Sequence, residues 1–288
     1  MMIVYNPAAG QRRAQRLWRV LDILANSGLR IELAETERPG HATELARRAA
    51  EAGVPLIVAA GGDGTIAEVA NGLSGSACRL GIIPLGTANV LAHELGLPIA
   101  PRAVAAALAF GRTREVWPGR AEGAGGELLF VQMLGAGLDA QVVHHLPLAL
   151  KKRIGRGAYV TQTLREIARY KFPPIRVVLD GVETEASSVI VTKGRLYAGA
   201  YTLAPGATPT ERGFSVVLFD KPGAAAALMY GAALPLNMIS RMPGVRVVRA
   251  SEIDIISDHI PAQADGDCAG IGPLHITDAA RPMNVVMN

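Results

Sequence analysis

The apolar positions in the first third of the chain switch period repeatedly. Short apolar runs at Met2–Tyr5, Leu29–Glu35, Leu56–Ala60 and Leu80–Ile83 read as strands. Between them lies helical spacing: at Arg13–Ser27, where Leu17, Val20, Leu21 and Leu24 share a face, and at Thr43–Ala52, Ile66–Gly72 and Val90–Leu95. Leu56–Ala60 is apolar without alternation, as expected of a strand covered on both faces. Strand and helix in turn predict a parallel sheet flanked by helices. Past Trp117–Gly126, which is rich in Pro, Gly and Ala, strands dominate: Leu128–Leu134, Ile175–Leu179, Val182–Ala186, Val189–Thr192, Phe214–Phe219, Val245–Ala250 and Ile253–Ser257. Asp180-Gly181 between two such runs predicts a hairpin turn. Close strands with short turns predict an antiparallel sandwich, interrupted by a helix near Arg156–Lys171, with the domain boundary near residue 118.

Composition fits two ordinary domains. The 288 residues are 50% hydrophobic and 19% charged, which supports a sizeable core and excludes wholesale disorder. Aromatics at 5% argue against stacking platforms for single-stranded nucleic acid. The net charge of +4 is mild, and its densest part is Lys151, Lys152, Arg153 and Arg156, with no acid until Glu166. That cluster suits anionic headgroups or phosphates, and equally a solvated helix face. Cys78 and Cys268 lie far apart and the histidines form no zinc pattern, so a reducing cytosol is the expected setting. Met1–Tyr5 runs at once into Asn6-Pro7, which is not a signal-peptide pattern. Pro222–Ser240 carries no charge and approaches the roughly 20 residues of a bilayer span. Its Pro222, Gly223, Gly231, Pro235 and Asn237 favour instead a short helix, Ala224–Ala233, followed by a loop.

The sharpest local signal is Ala59-Ala60-Gly61-Gly62-Asp63-Gly64-Thr65-Ile66, which ends a buried strand and opens a helix. Such a turn brings backbone N–H groups and the positive end of a helix dipole toward a phosphate. Asp63 repels bare phosphate, so it should meet Mg²⁺, a ribose hydroxyl or loop N–H groups. Alone, the segment reads equally well as a tight turn with a capping Asp. Pro84-Leu85-Gly86-Thr87-Ala88-Asn89 repeats the strand–turn–helix pattern, and Asn6-Pro7-Ala8-Ala9-Gly10 ends the first strand. All three should reach one edge of the sheet, where open α/β sheets take ligands. Neither the Gly-x-x-x-x-Gly-Lys-Ser/Thr loop nor the dinucleotide fingerprint is present.

Gly61-Gly62-Asp63-Gly64-Thr65, with Glu68 and Asn71-Gly72 after it, resembles the signature of the diacylglycerol kinase catalytic domain, a superfamily related to sphingosine kinases, NAD kinases and 6-phosphofructokinases. Asn6–Gly10 resembles the family's opening Asn-Pro-x-Ser-Gly motif, and Pro84–Asn89 its second glycine turn. Lys151–Tyr159 is similar to a basic segment of bacterial members, and Asp265-Gly266-Asp267 to a late Asp-Gly-Glu. The resemblance implies an ATP-binding α/β domain, phosphofructokinase- and NAD-kinase-like, over residues 1–118, with 277–288 returning to it. It implies a β-sandwich lipid-substrate domain over 119–276. Asn6, Thr36, Gly61, Gly62, Asp63, Gly64, Thr65, Glu68, Gly86 and Thr87 would meet the nucleotide, with Asp63 serving Mg²⁺ and the phosphates. Asp267 would be the carboxylate that accepts the hydroxyl proton, the one such group phosphoryl transfer needs.

The pattern also departs from the family. Asp267 stands for glutamate, Ala9 for serine and Ala67 for a frequent asparagine. Glu211-Arg212-Gly213 stands where many members carry an Asp-Gly pair that in some helps hold a structural Mg²⁺, so no such ion is expected here. The implied partner is a lipid at a membrane surface, met peripherally through Lys151–Arg156. No nucleic acid is implied, and a homodimer is compatible. Two other readings use the same glycine turns: a kinase of a small soluble acceptor, as in NAD kinase, and a nucleotide-binding module without catalysis.

Overall fold

The computed structural model describes residues 1–10, 14–146 and 156–288. Lys151, Lys152 and Arg153 of the basic segment lie outside them, as does the side chain of Arg156. The chain divides into two compact units, Met1–Trp117 with Ala280–Asn288, and Pro118–Ala279.

The first unit alternates β1 (Met2–Tyr5), α1 (Pro7–Gly10), α2 (Ala14–Asn26), β2 (Glu32–Glu35), α3 (His41–Glu51), β3 (Leu56–Gly61), α4 (Asp63–Gly72), β4 (Arg79–Pro84), α5 (Val90–Glu94), α6 (Pro101–Phe110) and β5 (Thr113–Val116). β2, β1, β3 and β4 lie side by side and parallel. Every residue of β3 is buried, as its unbroken apolar run requires. α2 turns Leu17, Val20 and Leu24 inward, the stripe its spacing predicts. α3 and α4 pack so closely that a Cβ on Gly72 would fall 2.4 Å from the Thr43 carbonyl oxygen. α6 has no counterpart in the sequence reading. Its alanines blur the helical period, and Pro101 at the first turn is its clearest start signal.

The second unit holds β6 (Gly119–Gly123), β7 (Gly126–Phe130), β8 (Met133–Ala136), α7 (Leu138–His144), α8 (Arg156–Arg169), β9 (Ile175–Leu179), β10 (Val182–Ala186), β11 (Ser188–Thr192), β12 (Leu196–Tyr197), β13 (Tyr201–Thr202), β14 (Phe214–Phe219), α9 (Ala224–Ala233), β15 (Val245–Ala250), β16 (Ile253–Ile255), β17 (Pro261–Ala264), β18 (Asp267–Ile271) and β19 (Leu274–Asp278). Two antiparallel sheets, ordered β10-β9-β16-β19-β6-β7 and β15-β14-β11-β8-β17-β18, form a sandwich. Ile175, Val177, Ile253, Ile255 and Ile276 of one sheet meet Leu134, Val189, Val191, Val216 and Leu218 of the other. α9 lays Tyr230 and Ala233 on the outer face of the second sheet. β20 (Met283–Val286) then returns to the first unit, parallel to β4 and antiparallel to β5.

Two boundaries differ from the sequence reading. Leu128–Leu134 is not one strand: β7 belongs to the first sheet of the sandwich and β8 to the second. The break falls where the N–H groups of Val131, Gln132 and Met133 leave the ladder to bind the Asp265 carboxylate, at 2.7, 2.9 and 2.9 Å. Thr277 and Asp278 are the end of β19, so the chain re-enters the first unit at Ala280.

The loop around Arg212 is tied by an ammonium. The Lys193 side chain is fully buried, and its Nζ donates to the carbonyls of Glu211 (3.1 Å) and Gly213 (2.8 Å) and to Asp278 Oδ1 (2.7 Å). The Gly213 N–H donates to the other Asp278 oxygen at 2.7 Å. Burial pulls the Lys193 ammonium below the ordinary lysine range, and Asp278 holds it back. Lys193→Met would leave Asp278 and two inward carbonyls without their cation. The expected loss is about 3–5 kcal/mol of stability for this unit in urea unfolding. An unchanged midpoint would show that the ammonium adds nothing to the fold.

Candidate active site

Register brings the predicted loops of the first unit together. Tyr5 pairs with Glu35 and Ala60, and Gly61 with Pro84. Asn6, Thr36, Gly62 and Leu85 therefore leave the sheet at one edge. The Asn6 amide donates to Thr65 Oγ1 at 3.2 Å and its carbonyl accepts the Ala8 N–H at 3.0 Å. The Thr36 N–H donates to the Tyr5 carbonyl at 2.8 Å. Leu85 and Gly86 both donate to the Gly61 carbonyl, at 2.8 and 3.1 Å.

The two glycine turns touch backbone to backbone. A Cβ on Gly86 would fall 2.4 Å from the Gly62 Cα, and one on Gly61 2.4 Å from Thr65 Oγ1. α4 starts at Asp63, and its first intrahelical bond runs from the Ile66 N–H to the Gly62 carbonyl. The N–H groups of Gly64 and Thr65 thus stand at the positive end of the helix without an intrahelical acceptor, while that of Asp63 faces its own carboxylate. Asn89 is only 5% exposed, yet its side-chain oxygen has no partner among the described residues. A bare backbone cradle, helix N–H donors and an orphaned buried acceptor make a donor set that fits a nucleotide with its phosphates. Thr87 is exposed at the rim of the second turn.

Asp63 satisfies one of the alternatives its sequence left open. Its carboxylate faces the N–H groups of Asn89, Val90 and Leu91 at the start of α5, the last at a long 3.4 Å from Oδ1. Burial pushes the carboxyl above its usual range, and these N–H groups pull it partly back. Glu68 is engaged elsewhere. Its Oε2 accepts the Ala42 N–H at 3.1 Å and its carbonyl accepts Thr43 Oγ1 at 2.9 Å, which caps α3.

In the second unit Asp265 and Gly266 form a two-residue hairpin turn between β17 and β18, with φ of 51° and 88° at the two positions. Both angles lie in the left-handed region that such turns need. The anchored Asp265 side chain fixes the turn, and Asp267 opens β18 with its side chain exposed. A second chain of bonds reaches the turn from Asp139. Tyr197 Oη donates to Asp139 Oδ1, Gln263 Nε2 donates to Asp139 Oδ2 at 2.7 Å, and the Gly266 N–H donates to Gln263 Oε1 at 2.8 Å. Burial pushes the Asp139 carboxyl up, against the two hydrogen bonds it accepts. The buried Gln132 amide, next to the N–H groups that hold Asp265, has no partner for either end among the described residues. The sequence reading did not single out Asp139, Gln263, Tyr197 or Gln132. Only Gly137-Leu138-Asp139, at a strand-to-helix junction, carried a local cue.

A family model described as "Diacylglycerol kinase catalytic domain" matches residues 1–121, and one described as "YegS C-terminal NAD kinase beta sandwich-like domain" matches residues 132–287. A protein of Bacillus subtilis (strain 168) named "Diacylglycerol kinase" is 27% identical over 99% of this chain and 95% of its own length. A Pseudomonas putida (strain KT2440) protein named "Probable lipid kinase YegS-like" is 30% identical over 84% and 82%. A crystal structure of a diacylglycerol kinase from Bacillus anthracis (strain Sterne) superposes with a TM-score of 0.74 at 21% identity, covering 100% of this chain and 96% of that one. At that identity it supports the fold alone.

Asp63→Asn keeps an oxygen for the α5 N–H groups and removes a buried charge. The raised carboxyl favours the protonated form in the folded state, so ionisation costs stability as pH rises through its folded value. The amide variant should therefore be more stable than the parent at neutral pH. Each ~1 kcal/mol would raise the melting temperature by about 2–4 °C, and the difference should vanish toward acid pH. A variant less stable at neutral pH would contradict the placement of Asp63.

Proposed function

Since the chain belongs to the diacylglycerol kinase catalytic-domain family and is a lipid kinase, we propose that it transfers the γ-phosphate of ATP to a hydroxyl of diacylglycerol or a related lipid. The observation that carries the nucleotide part is the contact between the Gly62 and Gly86 backbones beside the orphaned Asn89 oxygen. In this reading the N–H groups of Gly64 and Thr65 receive phosphate oxygens, and Asn6, Thr36 and Thr87 line the same edge. Asp63, whose carboxylate faces the α5 N–H groups, would have to turn toward the phosphates to meet Mg²⁺. Bound Mg²⁺ supplies neutralisation of charge on the phosphate oxygens.

Asp267 is the proton acceptor of the proposal. It is a carboxylate at the start of a strand, on a turn held by Asp265 from one side and by the Asp139–Gln263 bonds from the other. A base whose backbone is fixed in this way has less freedom to lose when it meets a hydroxyl, which is how positioning lowers a barrier. Association with the membrane is peripheral in this reading, on the cytoplasmic side. Among the described residues no helix is long and apolar enough to cross a bilayer. Nothing in the reading calls for nucleic acid.

Asp267→Asn should lower kcat by about 10²–10⁴-fold, with KM for ATP and stability little changed. Asp267→Glu, the family's own residue, should keep most of the activity. Equal kcat for Asp267→Asn and the parent would remove Asp267 from the chemistry. Gly86→Ala would push the two turns apart. It should raise KM for ATP by on the order of tenfold to a hundredfold. An unchanged KM would place the nucleotide elsewhere.

A further inference from the structure

α8 is amphipathic in the wrong sense for a helix facing water. Its polar Gln162 and Glu166 are buried together with Ile167, and Gln162 Nε2 donates to Glu166 Oε1 at 2.7 Å. Glu166 Oε2 lies 3.2 Å from His145 Nδ1. Val160 and Leu164, one turn apart, point outward with 60% and 53% of their surface exposed. Water would select the reverse.

α9 packs against α8 and also leaves apolar surface exposed. It sets Tyr230 and Ala233 on the sandwich and leaves Leu228 exposed, and the turns after it expose Leu236 (68%) and Met238. No charge interrupts Pro222–Ser240. The rim is cationic. Lys221 and Arg241 bound this apolar run, and Arg165, Arg169 and Lys171 are exposed at the far side of α8. The last three help to line an open cavity of about 660 Å³. From Lys221 to Arg241 the chain has no acid, and the only acid between residues 156 and 171 is the buried Glu166; farther on, Arg246 is paired with Asp220 at 2.8 Å. Lys151, Lys152 and Arg153 precede α8 in sequence.

We infer that this face of the second unit docks on an anionic lipid surface, with Val160, Leu164, Leu228, Leu236 and Met238 entering the headgroup–acyl boundary and the basic rim meeting the phosphates. Exposed apolar side chains flanked by cations are the pattern of a helix that lies in a membrane interface. A second copy of the chain fits less well. A two-fold contact would set the same cations against one another. The inference rests on the lipid-kinase reading, and it assigns that reading its membrane face.

The test is sedimentation with phosphatidylcholine vesicles, with and without phosphatidylglycerol, in the absence of ATP. The parent is compared with Leu236→Glu and with the double variant Leu164→Glu/Leu228→Glu. Phosphorylation of a dispersed short-chain diacylglycerol is measured in parallel, and circular dichroism checks folding. The parent should bind the anionic vesicles, both variants should bind about tenfold more weakly or worse, and short-chain turnover should be unchanged. Variants that bind as the parent does, or a parent that ignores anionic vesicles while phosphorylating the short-chain lipid, would overturn the docking face and leave the kinase reading standing. So would a parent dimer that the variants break into monomers with no change in vesicle binding. A parent that binds vesicles through this face but phosphorylates no lipid would sink the kinase reading alone.

Discussion

The nucleotide side of this protein depends on two backbones approaching to a distance that no side chain permits. Gly62 and Gly86 stand on consecutive strand-to-helix turns, and a Cβ on the second would overlap the Cα of the first. The parallel register of β3 and β4 sets up the approach by pairing Gly61 with Pro84, and the Leu85 and Gly86 N–H groups close it on the Gly61 carbonyl. Asp63 then spans the same gap with its side chain, from the first turn of α4 to the start of α5. A carboxyl held there above its usual range is a local cost, of the kind that functional sites retain and folds alone do not need.

The second unit uses one small device twice. Asp180-Gly181 and Asp265-Gly266 are both two-residue hairpin turns with positive φ at each position. In both, the Asp side chain reaches sideways to backbone N–H groups of another segment: Ser251 and Glu252 in the first case, Val131 to Met133 in the second. The turns differ in what they carry. The first joins β9 to β10 and ties them to the segment between β15 and β16. The second splits β7 from β8 between two sheets and presents Asp267.

Much of this was legible because the relevant signals are local. The apolar runs of β1, β3 and β4, the Gly61–Thr65 and Pro84–Asn89 turns and the Asp180-Gly181 hairpin are each set by adjacent residues, and the structure reproduces them. What stayed hidden depends on partners far apart in the chain. Leu128–Leu134 reads as one strand until the Asp265 carboxylate, more than a hundred residues later, takes its central N–H groups. Asp139, Gln263 and Tyr197 form a site only through tertiary contacts. Arg212 pointed to the loss of a structural ion, but no local pattern marks Lys193 as the residue that brings an ammonium to the carbonyls on either side of it. The alanines of α6 hid a helix because alanine favours the helix yet marks no face.

The most direct measurement follows labelled phosphate from ATP with Mg²⁺ into a panel of acceptors: dispersed diacylglycerol, a phosphatidylglycerol-like lipid, a long-chain base and NAD. The account predicts label in a lipid and none in NAD. Label in NAD alone, or bound ATP with no label in any acceptor, would contradict it.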